Sequence, residues 1–484
     1  MKSLYLLLLL LIPNTLPIVA QPQQKVIPQT QIAIAHVGVI DTNSGSVEGD
    51  MTVVIVGNRI AEMDGASNVK VPNSTQTIDA KGKFLMPGLW DMHVHIFGAG
   101  RFPIVTPLLI ANGITGVREM GTCVPLATIN GIRKKIAEGK LLGPRIVAAG
   151  PVVDGGFKDW TNANVATPSE AREVVRSLKQ QGADFIKIYD NLSRPAFFAI
   201  ADESRKLDIP FAGHPPDTVS DREAAEAGQK SIEHLVGIPS ACSTDEAKLQ
   251  PQYEQALNEP DFSLANAIAT RADIRAIDSF SATRCKELAS VFRTRRTWQC
   301  PTLVVTRATY AYEAISTKDW RLKYIPKNWI SDWASFPEND LWFKDLTPAD
   351  REGLARVYRR LVESAGIFHR DSVDFLVGTD VSRPYIFPGF SLHDELGLLV
   401  EAGFTPGEAL KTATYNPARF LGMLDRLGTV DKGKLADLVL LDANPLEDIH
   451  NTEKIQAVIV NGKYLDRTAL DKLLADAAVS ASMP

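Results

Sequence analysis

The chain has 484 residues, of which 45% are hydrophobic and 23% charged; such fractions are ordinary for a globular protein with a sizeable core. Its 52 Lys and Arg against 57 Asp and Glu give a formal net charge of −5, which argues against nucleic-acid binding through a basic face. The mean hydropathy is close to zero and excludes a polytopic membrane protein. The length suits about three domains, or one large α/β barrel with an appendage.

Residues 1–20 have the pattern of a cleavable signal peptide. Lys2 supplies a short positive region, Tyr5 to Ile12 is an unbroken apolar run, and Ala20 is the small residue of a cleavage site. The run is shorter than the roughly 20 apolar residues that span a bilayer. We therefore expect a secreted or periplasmic protein without stable membrane insertion; an uncleaved N-terminal anchor is the alternative.

The cysteines do not indicate a disulfide framework, because there are only 4 in so long a chain. None belongs to a CxxC or CxxH pair, so a cysteine-based zinc site is not expected. One disulfide among Cys242, Cys285 and Cys300 and buried free thiols are equal alternatives.

Short strand patterns separated by turn residues occur at both ends of the chain. The candidates are residues 32–34, 37–40, 51–56, 59–63, 437–441 and 457–460. Asn461-Gly462 follows the last of them and is a strong hairpin signal. This pattern predicts a small β-sandwich domain built from both chain ends, residues 31–85 and 425–470.

Apolar segments alternate with helical patterns in between, which predicts an α/β fold, a (β/α)8 TIM-like barrel over residues 86–424. The candidate strands are residues 88–95, 113–119, 145–149, 184–189, 210–214, 231–235, 297–305 and 374–380. Residues 306–365 are too long for one barrel helix, and we expect a helical insertion that caps the barrel mouth.

Histidines lie at the carboxyl ends of several predicted strands, where barrel enzymes place their active sites. His93 and His95 are two residues apart on the first strand, so both imidazoles lie on one face. His214, His234 and Asp380 end the fifth, sixth and eighth strands. Taken singly, each is more simply a buried hydrogen-bonded side chain. Together, nitrogen and oxygen ligands without thiolate suit Zn²⁺ or another divalent first-row ion.

Lys187 lies in the otherwise apolar run Phe185–Tyr189, where a lysine is seldom buried without a partner. A structural ion pair is one interpretation. The other is carbamylation by CO2, which would convert the amine to an anionic ligand that bridges two cations. The remaining ligands then divide into a set of three and a set of two: His93, His95 and Asp380, and His214 and His234.

These residues together resemble the amidohydrolase superfamily. Residues 87–95 (PGLWDMHVH) resemble its strand-one motif, and residues 428–439 resemble its return to the small β-domain. Four residues fall in order at its strand four, five, six and eight positions: Lys187, His214, His234 and Asp380. The chain is similar to the imidazolonepropionase-like and Xaa-Pro-dipeptidase-like branch, and the lysine implies the carbamylated, binuclear subtype.

The resemblance implies two divalent metal ions, expected to be Zn²⁺, and CO2 held as a carbamate on Lys187. It implies an exported hydrolase that cleaves a C–N amide bond by metal-activated hydroxide. The expected substrate is a small-molecule amide: a dipeptide, an N-acyl amino acid or an ochratoxin-like compound. Asp380 would be the catalytic residue, first a general base and then a general acid. Assembly into a homo-oligomer stays open.

Candidate substrate contacts are Tyr189, Arg194 and His393. Tyr189 shares a strand face with Lys187, and packing at the barrel rim is its alternative. Arg194 would pair with a substrate carboxylate, although a solvated loop arginine is simpler. His393 follows the eighth strand and either supports the site or only begins a helix. Arg118 ends the second strand, where an ion pair inside the barrel is the simpler interpretation.

The alternative interpretations of this sequence are a deaminase, a cyclic amide or lactone hydrolase, and a non-catalytic metal-binding protein. Deaminase-type relatives often carry a Glu three residues after the strand-five histidine, whereas here Asp217 follows His214 at that spacing. All six predicted ligand positions are filled, which argues against a decayed site.

Overall fold

The computed structural model describes residues 31–98, 100–156, 162–312, 318–336, 340–381 and 383–483. The predicted signal peptide, residues 1–20, lies outside these ranges. Within them, every helix is too short or too polar to cross a bilayer.

The described residues contain strands in both the terminal and the central parts of the chain. They are β1 (Gln31–Asp41), β2 (Ser46–Val56), β3 (Arg59–Gly65), β4 (Gln76–Asp79), β5 (Phe84–Pro87), β6 (Leu89–Val94), β7 (Ile114–Glu119), β8 (Arg145–Ala148), β9 (Val152–Asp154), β10 (Asn162–Asn164), β11 (Ile186–Ile188), β12 (Phe211–Gly213), β13 (Ser231–Glu233), β14 (Trp298–Cys300), β15 (Leu438–Leu441), β16 (Ile455–Val460) and β17 (Lys463–Asp466).

Helices connect most of the central strands. They are α1 (Arg101–Ala111), α2 (Leu126–Ala137), α3 (Pro168–Gln180), α4 (Arg194–Leu207), α5 (Asp221–Glu226), α6 (Ile238–Ala241), α7 (Glu246–Asn258), α8 (Phe262–Asp278), α9 (Ala282–Arg295), α10 (Leu303–Tyr310), α11 (Lys327–Ala334), α12 (Pro348–Arg370), α13 (Phe390–Glu401), α14 (Pro406–Thr412), α15 (Tyr415–Phe420) and α16 (Arg467–Ser482), with 3₁₀ turns at Trp320–Tyr324 and Ile449–Glu453.

Strands from both chain ends form one eight-stranded sheet in the order β17-β16-β15-β5-β1-β2-β3, with β4 paired to β1. The two ends meet where β5 and β15 pair antiparallel, with Leu438 opposite Pro87. The predicted Asn461-Gly462 turn joins β16 to β17, and both residues have positive φ, 48° and 76°. A division of this sheet into two packed layers, the predicted sandwich, stays a prediction.

The central strands form two parallel sheets, β6-β7-β8 and β10-β9-β11-β12-β13-β14. Most of their residues are buried, as expected for parallel strands covered by helices on their outer face. The N–H of Asp184, just before β11, donates to the carbonyl of Ala148 at the end of β8, at 3.0 Å. This hydrogen bond connects the two sheets on one side.

The predicted eighth strand, residues 374–380, does not form a continuous strand. Instead, Phe375 forms an isolated parallel bridge with Gln299 in β14, and Val381 forms another with Val94 in β6. The segment therefore lies between the second parallel sheet and the first, at the position that an eighth strand would occupy.

The predicted strand 297–305 is wrong in its second half, because β14 ends at Cys300 and α10 begins at Leu303. Pro301 has no backbone N–H to offer a neighbouring strand. Thr302 adopts φ 45°, which turns the chain sharply. The apolar residues that follow are then the first turn of a helix, which a short apolar run does not distinguish from a strand.

The described residues of the region predicted as an insertion, 306–365, include the rest of α10, a 3₁₀ turn, α11 and most of α12. The sequence did not predict α7, α8 and α9 between β13 and β14. A disulfide joins Cys242, just after α6, to Cys285 in α9. Cys300 is a buried free thiol and Cys123 an exposed one.

Candidate metal centre

Three ligand-type side chains converge at the end of β6. His93 Nε2 lies 3.5 Å and His95 Nε2 lies 3.3 Å from the same oxygen, Asp380 Oδ1. The candidate ligand atoms of this group all lie within 4.8 Å of one another. Asp380 has φ 59°, so a sharp turn of the backbone directs its carboxylate toward the two imidazoles.

Two further histidines extend this group. The ring centroids of His93 and His234 are 4.5 Å apart, and those of His234 and His214 are 4.8 Å apart. The four histidine rings predicted as ligands thus form one continuous cluster. Lys187 lies on β11 opposite Ala212 of β12, two residues from His214.

Each imidazole is fixed by a hydrogen bond at Nδ1, on the side away from the cluster. The partners are Glu233 Oε2 for His93 at 2.9 Å, the Gly121 carbonyl for His95 at 2.9 Å, Asp190 Oδ1 for His214 at 2.8 Å, and Thr302 Oγ1 for His234 at 2.5 Å. A carbonyl or a carboxylate only accepts, so for the first three the proton lies on Nδ1 and Nε2 keeps its lone pair.

The cluster contains buried polar atoms that the described protein residues leave unsatisfied. Lys187 Nζ and His214 Nε2 have no hydrogen-bond partner among the described residues, and Lys187 is only 1% exposed. Such orphaned atoms are costly and rare in folded proteins. Imidazole nitrogens and carboxylate oxygens are the ligands that divalent transition metals take. The donor set therefore fits metal binding.

Burial favours the neutral form of three of the four imidazoles in the cluster. Burial lowers the pKa of His93 to about 4 and holds the pKa of His214 and of His234 well below the ordinary value. Burial likewise lowers the pKa of the Lys187 amine to about 8. Ligands must be unprotonated to bind a metal. Burial favours that state at His93, His214 and His234, whereas the pKa of His95 lies above its ordinary value because burial is outweighed by its hydrogen bond to Asp380 together with the charges of nearby carboxylates.

Tyr189 lies beside the cluster, its ring centroid 4.3 Å from that of His214. Its side chain is half-buried. Burial raises the pKa of its hydroxyl above the ordinary value, so the group stays a neutral hydrogen-bond donor. Its position is compatible with a contact to a substrate that approaches the histidines.

Two predicted substrate contacts are not brought to the cluster. Arg194 is the first residue of α4, where its guanidinium, about half exposed, is paired with Glu223. His393 is buried in α13, with Nδ1 at 2.9 Å from Thr452 Oγ1 and Nε2 at 3.1 Å from the carbonyl of Asn112. Asn112 precedes β7, at the end of the strand opposite the site. Arg194 and His393 are thus held by partners outside the cluster, and their role in substrate binding stays a prediction.

The residues that hold the candidate ligands in place were not predicted from the sequence. Asp91 accepts hydrogen bonds from the Thr379 hydroxyl at 2.6 Å and from the backbone N–H of Thr379 at 3.0 Å. It thereby ties β6 to the turn that carries Asp380. The sequence contains only a slight signal for the two carboxylates that bond to the imidazoles. Glu233 ends a strand next to His234, and Asp190 follows a strand next to Tyr189.

Comparison with known proteins identifies the family. The amidohydrolase family model matches residues 84–250 and 355–465, which is more than half of the chain. A dihydroorotase from Anaeromyxobacter dehalogenans is 25% identical over 425 residues, 83% of this chain and 86% of that protein.

Solved structures agree in fold. A candidate prolidase from Bifidobacterium longum has 25% identity and a TM-score of 0.64 over 93% of this chain and 99% of its own. The ochratoxinase of A. niger has 17% identity and a TM-score of 0.63 over 91% of this chain and 96% of its own. The chain belongs to the amidohydrolase family. It is a hydrolase that acts on carbon–nitrogen bonds, and its barrel-like α/β domain is the one these structures share.

Proposed function

We propose that this protein is an exported, binuclear metal-dependent hydrolase that cleaves the amide bond of a dipeptide, an N-acyl amino acid or an ochratoxin-like compound. The observation that carries the proposal is the convergence of four imidazoles, one carboxylate and one buried amine in a chain of the amidohydrolase family. The similarity to a candidate prolidase and to an ochratoxinase supports an amide substrate.

His93, His95 and Asp380 would hold one divalent cation, and His214 and His234 the other, with zinc as the expected metal. When bound, such cations lower the pKa of water toward neutrality and polarise a scissile carbonyl. The protein supplies the orientation: Nδ1 of each imidazole is hydrogen-bonded away from the cluster.

Lys187 would reach its ligating form by reaction with CO2. The neutral amine attacks the carbon of CO2, one N–C bond forms, one proton is released, and the product is a carbamate with a negative charge over two oxygens. The buried Nζ supports this step, because it has no hydrogen-bond partner among the described residues and His214 Nε2 has none either. The alternative of a structural ion pair finds no support, since no described carboxylate bonds to Nζ.

Asp380 would carry the proton through the reaction. Its Oδ1 already lies against His93 and His95, so an attacking water held there can pass its proton to the carboxylate. The same carboxylate can then deliver that proton to the departing amine nitrogen, as a general base and then a general acid. Tyr189 would donate a hydrogen bond to the substrate beside His214.

We also propose a closed (β/α)8 barrel, a two-layered β-domain and export. Barrel closure is supported by the bridges that Phe375 and Val381 make on either side of residues 374–381. Export is supported by the apolar leader in residues 1–20 and by the Cys242–Cys285 disulfide, because disulfides persist mainly in oxidising compartments.

The test is a hydrolysis screen on protein reconstituted with Zn²⁺ and bicarbonate. The panel contains Xaa-Pro and other dipeptides, N-acyl amino acids, ochratoxin-like amides, cyclic amides and lactones. Cleavage of linear amides supports the proposal. Cleavage confined to cyclic amides or lactones would indicate a cyclic amide or lactone hydrolase instead. Metal binding without hydrolysis of any panel member would indicate a non-catalytic metal-binding protein. Dependence on a free substrate carboxylate would support the Tyr189 contact, and indifference to it would discard that contact.

A further inference from the structure

A buried charged network lies beneath the candidate metal centre and contacts one of its ligands. Arg118 Nη2 lies 3.0 Å from Glu233 Oε1 and 2.9 Å from Glu233 Oε2. Ser231 donates to Glu233 Oε1 at 2.5 Å, and Arg118 also donates to Ser231 at 2.9 Å and to the carbonyl of Met92 at 2.6 Å. Arg118 is 1% exposed and Glu233 is fully buried. Every polar end of this network is satisfied.

The Glu233 carboxylate also accepts a hydrogen bond from His93. Its Oε2 lies 2.9 Å from His93 Nδ1, whereas Oε1 is held by the guanidinium and the Ser231 hydroxyl. A carboxylate bonded on both oxygens by a buried guanidinium is ionised, and an ionised carboxylate can only accept. His93 must therefore donate from Nδ1, which leaves the lone pair of Nε2 facing Asp380 Oδ1 at 3.5 Å. Two acceptors face one another there, an arrangement that a cation between them would stabilise.

We propose that Glu233 is a positioning residue that fixes the tautomer and the orientation of His93, and that Arg118 and Ser231 hold Glu233 in this role. The inference rests on the proposed metal centre, since keeping His93 Nε2 unprotonated matters only where a cation binds. A carboxylate behind a ligating histidine commonly raises metal affinity by about 10- to 100-fold.

A competing interpretation makes Glu233 itself a metal ligand, because His93, Glu233 and Cys300 also form a compact group. The neighbouring charge excludes it: Arg118 already neutralises Glu233 at 2.9–3.0 Å, and a second cation there would be repelled.

The first test uses the unmodified, metal-free protein labelled with ¹⁵N-histidine. NMR spectra distinguish a protonated ring nitrogen from a bare one, and a His93→Gln sample identifies the signals of His93. We expect the proton on Nδ1 and a bare Nε2. A proton on Nε2, or on both nitrogens at pH 7.5, would overturn the proposal. This result is obtained without catalysis, so it stands apart from the failure of the proposed function, which the hydrolysis screen detects.

The second test uses Glu233→Gln. The single amide oxygen should turn to Arg118 and Ser231, so the amide NH2 faces His93 and drives the proton to Nε2. Calorimetric titration with Zn²⁺ should then show one of two sites weakened about 10- to 100-fold and the other unchanged. Unchanged binding at both sites would contradict the proposal.

The matched control is Glu203→Gln, a buried carboxylate paired with Arg172 and Arg176 but absent from the cluster. It should bind Zn²⁺ as the unmodified protein does. Equal weakening in both variants would show that loss of a buried ion pair, rather than release of His93, causes the effect, and the proposal would be abandoned.

Discussion

Replacing Asp380 with asparagine tests the proposed proton carrier with the smallest structural change. Asp380 has φ 59°, a left-handed conformation that Asn tolerates better than most residues, so the turn should persist. The amide oxygen can still point at His93 and His95, but the amide cannot accept the proton of the attacking water. Loss of general acid–base catalysis corresponds to a fall in kcat of about 10²- to 10⁴-fold, or about 3–5 kcal/mol of transition-state stabilisation.

The assay is kcat and KM on the best substrate of the screen, with metal content measured on the same sample. We expect substantial metal to be retained and most turnover to be lost. Asp217→Asn is the matched control, because Asp217 occupies the position of the deaminase proton carrier, three residues after His214, and should leave turnover nearly unchanged. Full activity of Asp380→Asn, or loss of activity only in Asp217→Asn, would refute the assignment.

Three further predictions follow from the structure. Lys187→Met should bind fewer than two ions even with bicarbonate, and native mass spectrometry should lose the mass of one CO2 that the unmodified protein carries; two tightly bound ions in this variant would contradict the carbamate. Removing the Cys242–Cys285 disulfide by double alanine substitution should lower the free energy of unfolding by about 4 kcal/mol, the loop-entropy value for a bridge spanning 43 residues, whereas Cys123→Ser should not. Burial raises the pKa of Asp221 to about 8, so the folded state binds its proton more tightly and stability falls as pH rises from about 4 to 8. Asp221→Asn should remove that fall. Measured by urea unfolding, the free energy of unfolding of the variant relative to the unmodified protein should be higher at pH 8.5 than at pH 5 by a few kcal/mol. The same pH dependence of stability in both proteins would contradict the prediction.

The sequence indicated the candidate ligands but not the side chains that hold them in place. Spacing on one strand places His93 and His95 on one face, and strand-end positions bring in His214, His234 and Asp380, because the carboxyl ends of parallel strands meet. Sequence periodicity says nothing about which distant side chain lies behind an imidazole. The contacts of Glu233 and of the Gly121 carbonyl with the histidines depend on the three-dimensional packing of separate strands.

The sequence did contain signals that correct two errors. Ser193-Arg194-Pro195 is an N-cap residue followed by proline in the first helical turn, which places Arg194 at the start of α4 rather than in the predicted loop. Pro301 ends β14, because proline has no backbone N–H to donate to a neighbouring strand. His393 had no such signal, because its partners Thr452 and Asn112 are brought to it only by packing of distant segments.

The most direct test of the metal centre is the metal content of the pure, active protein, measured together with its activity before and after chelation. We expect about two divalent transition-metal ions per chain, loss of hydrolysis when they are removed, and recovery with Zn²⁺ and bicarbonate together. Full hydrolysis by protein that contains no transition metal would contradict it.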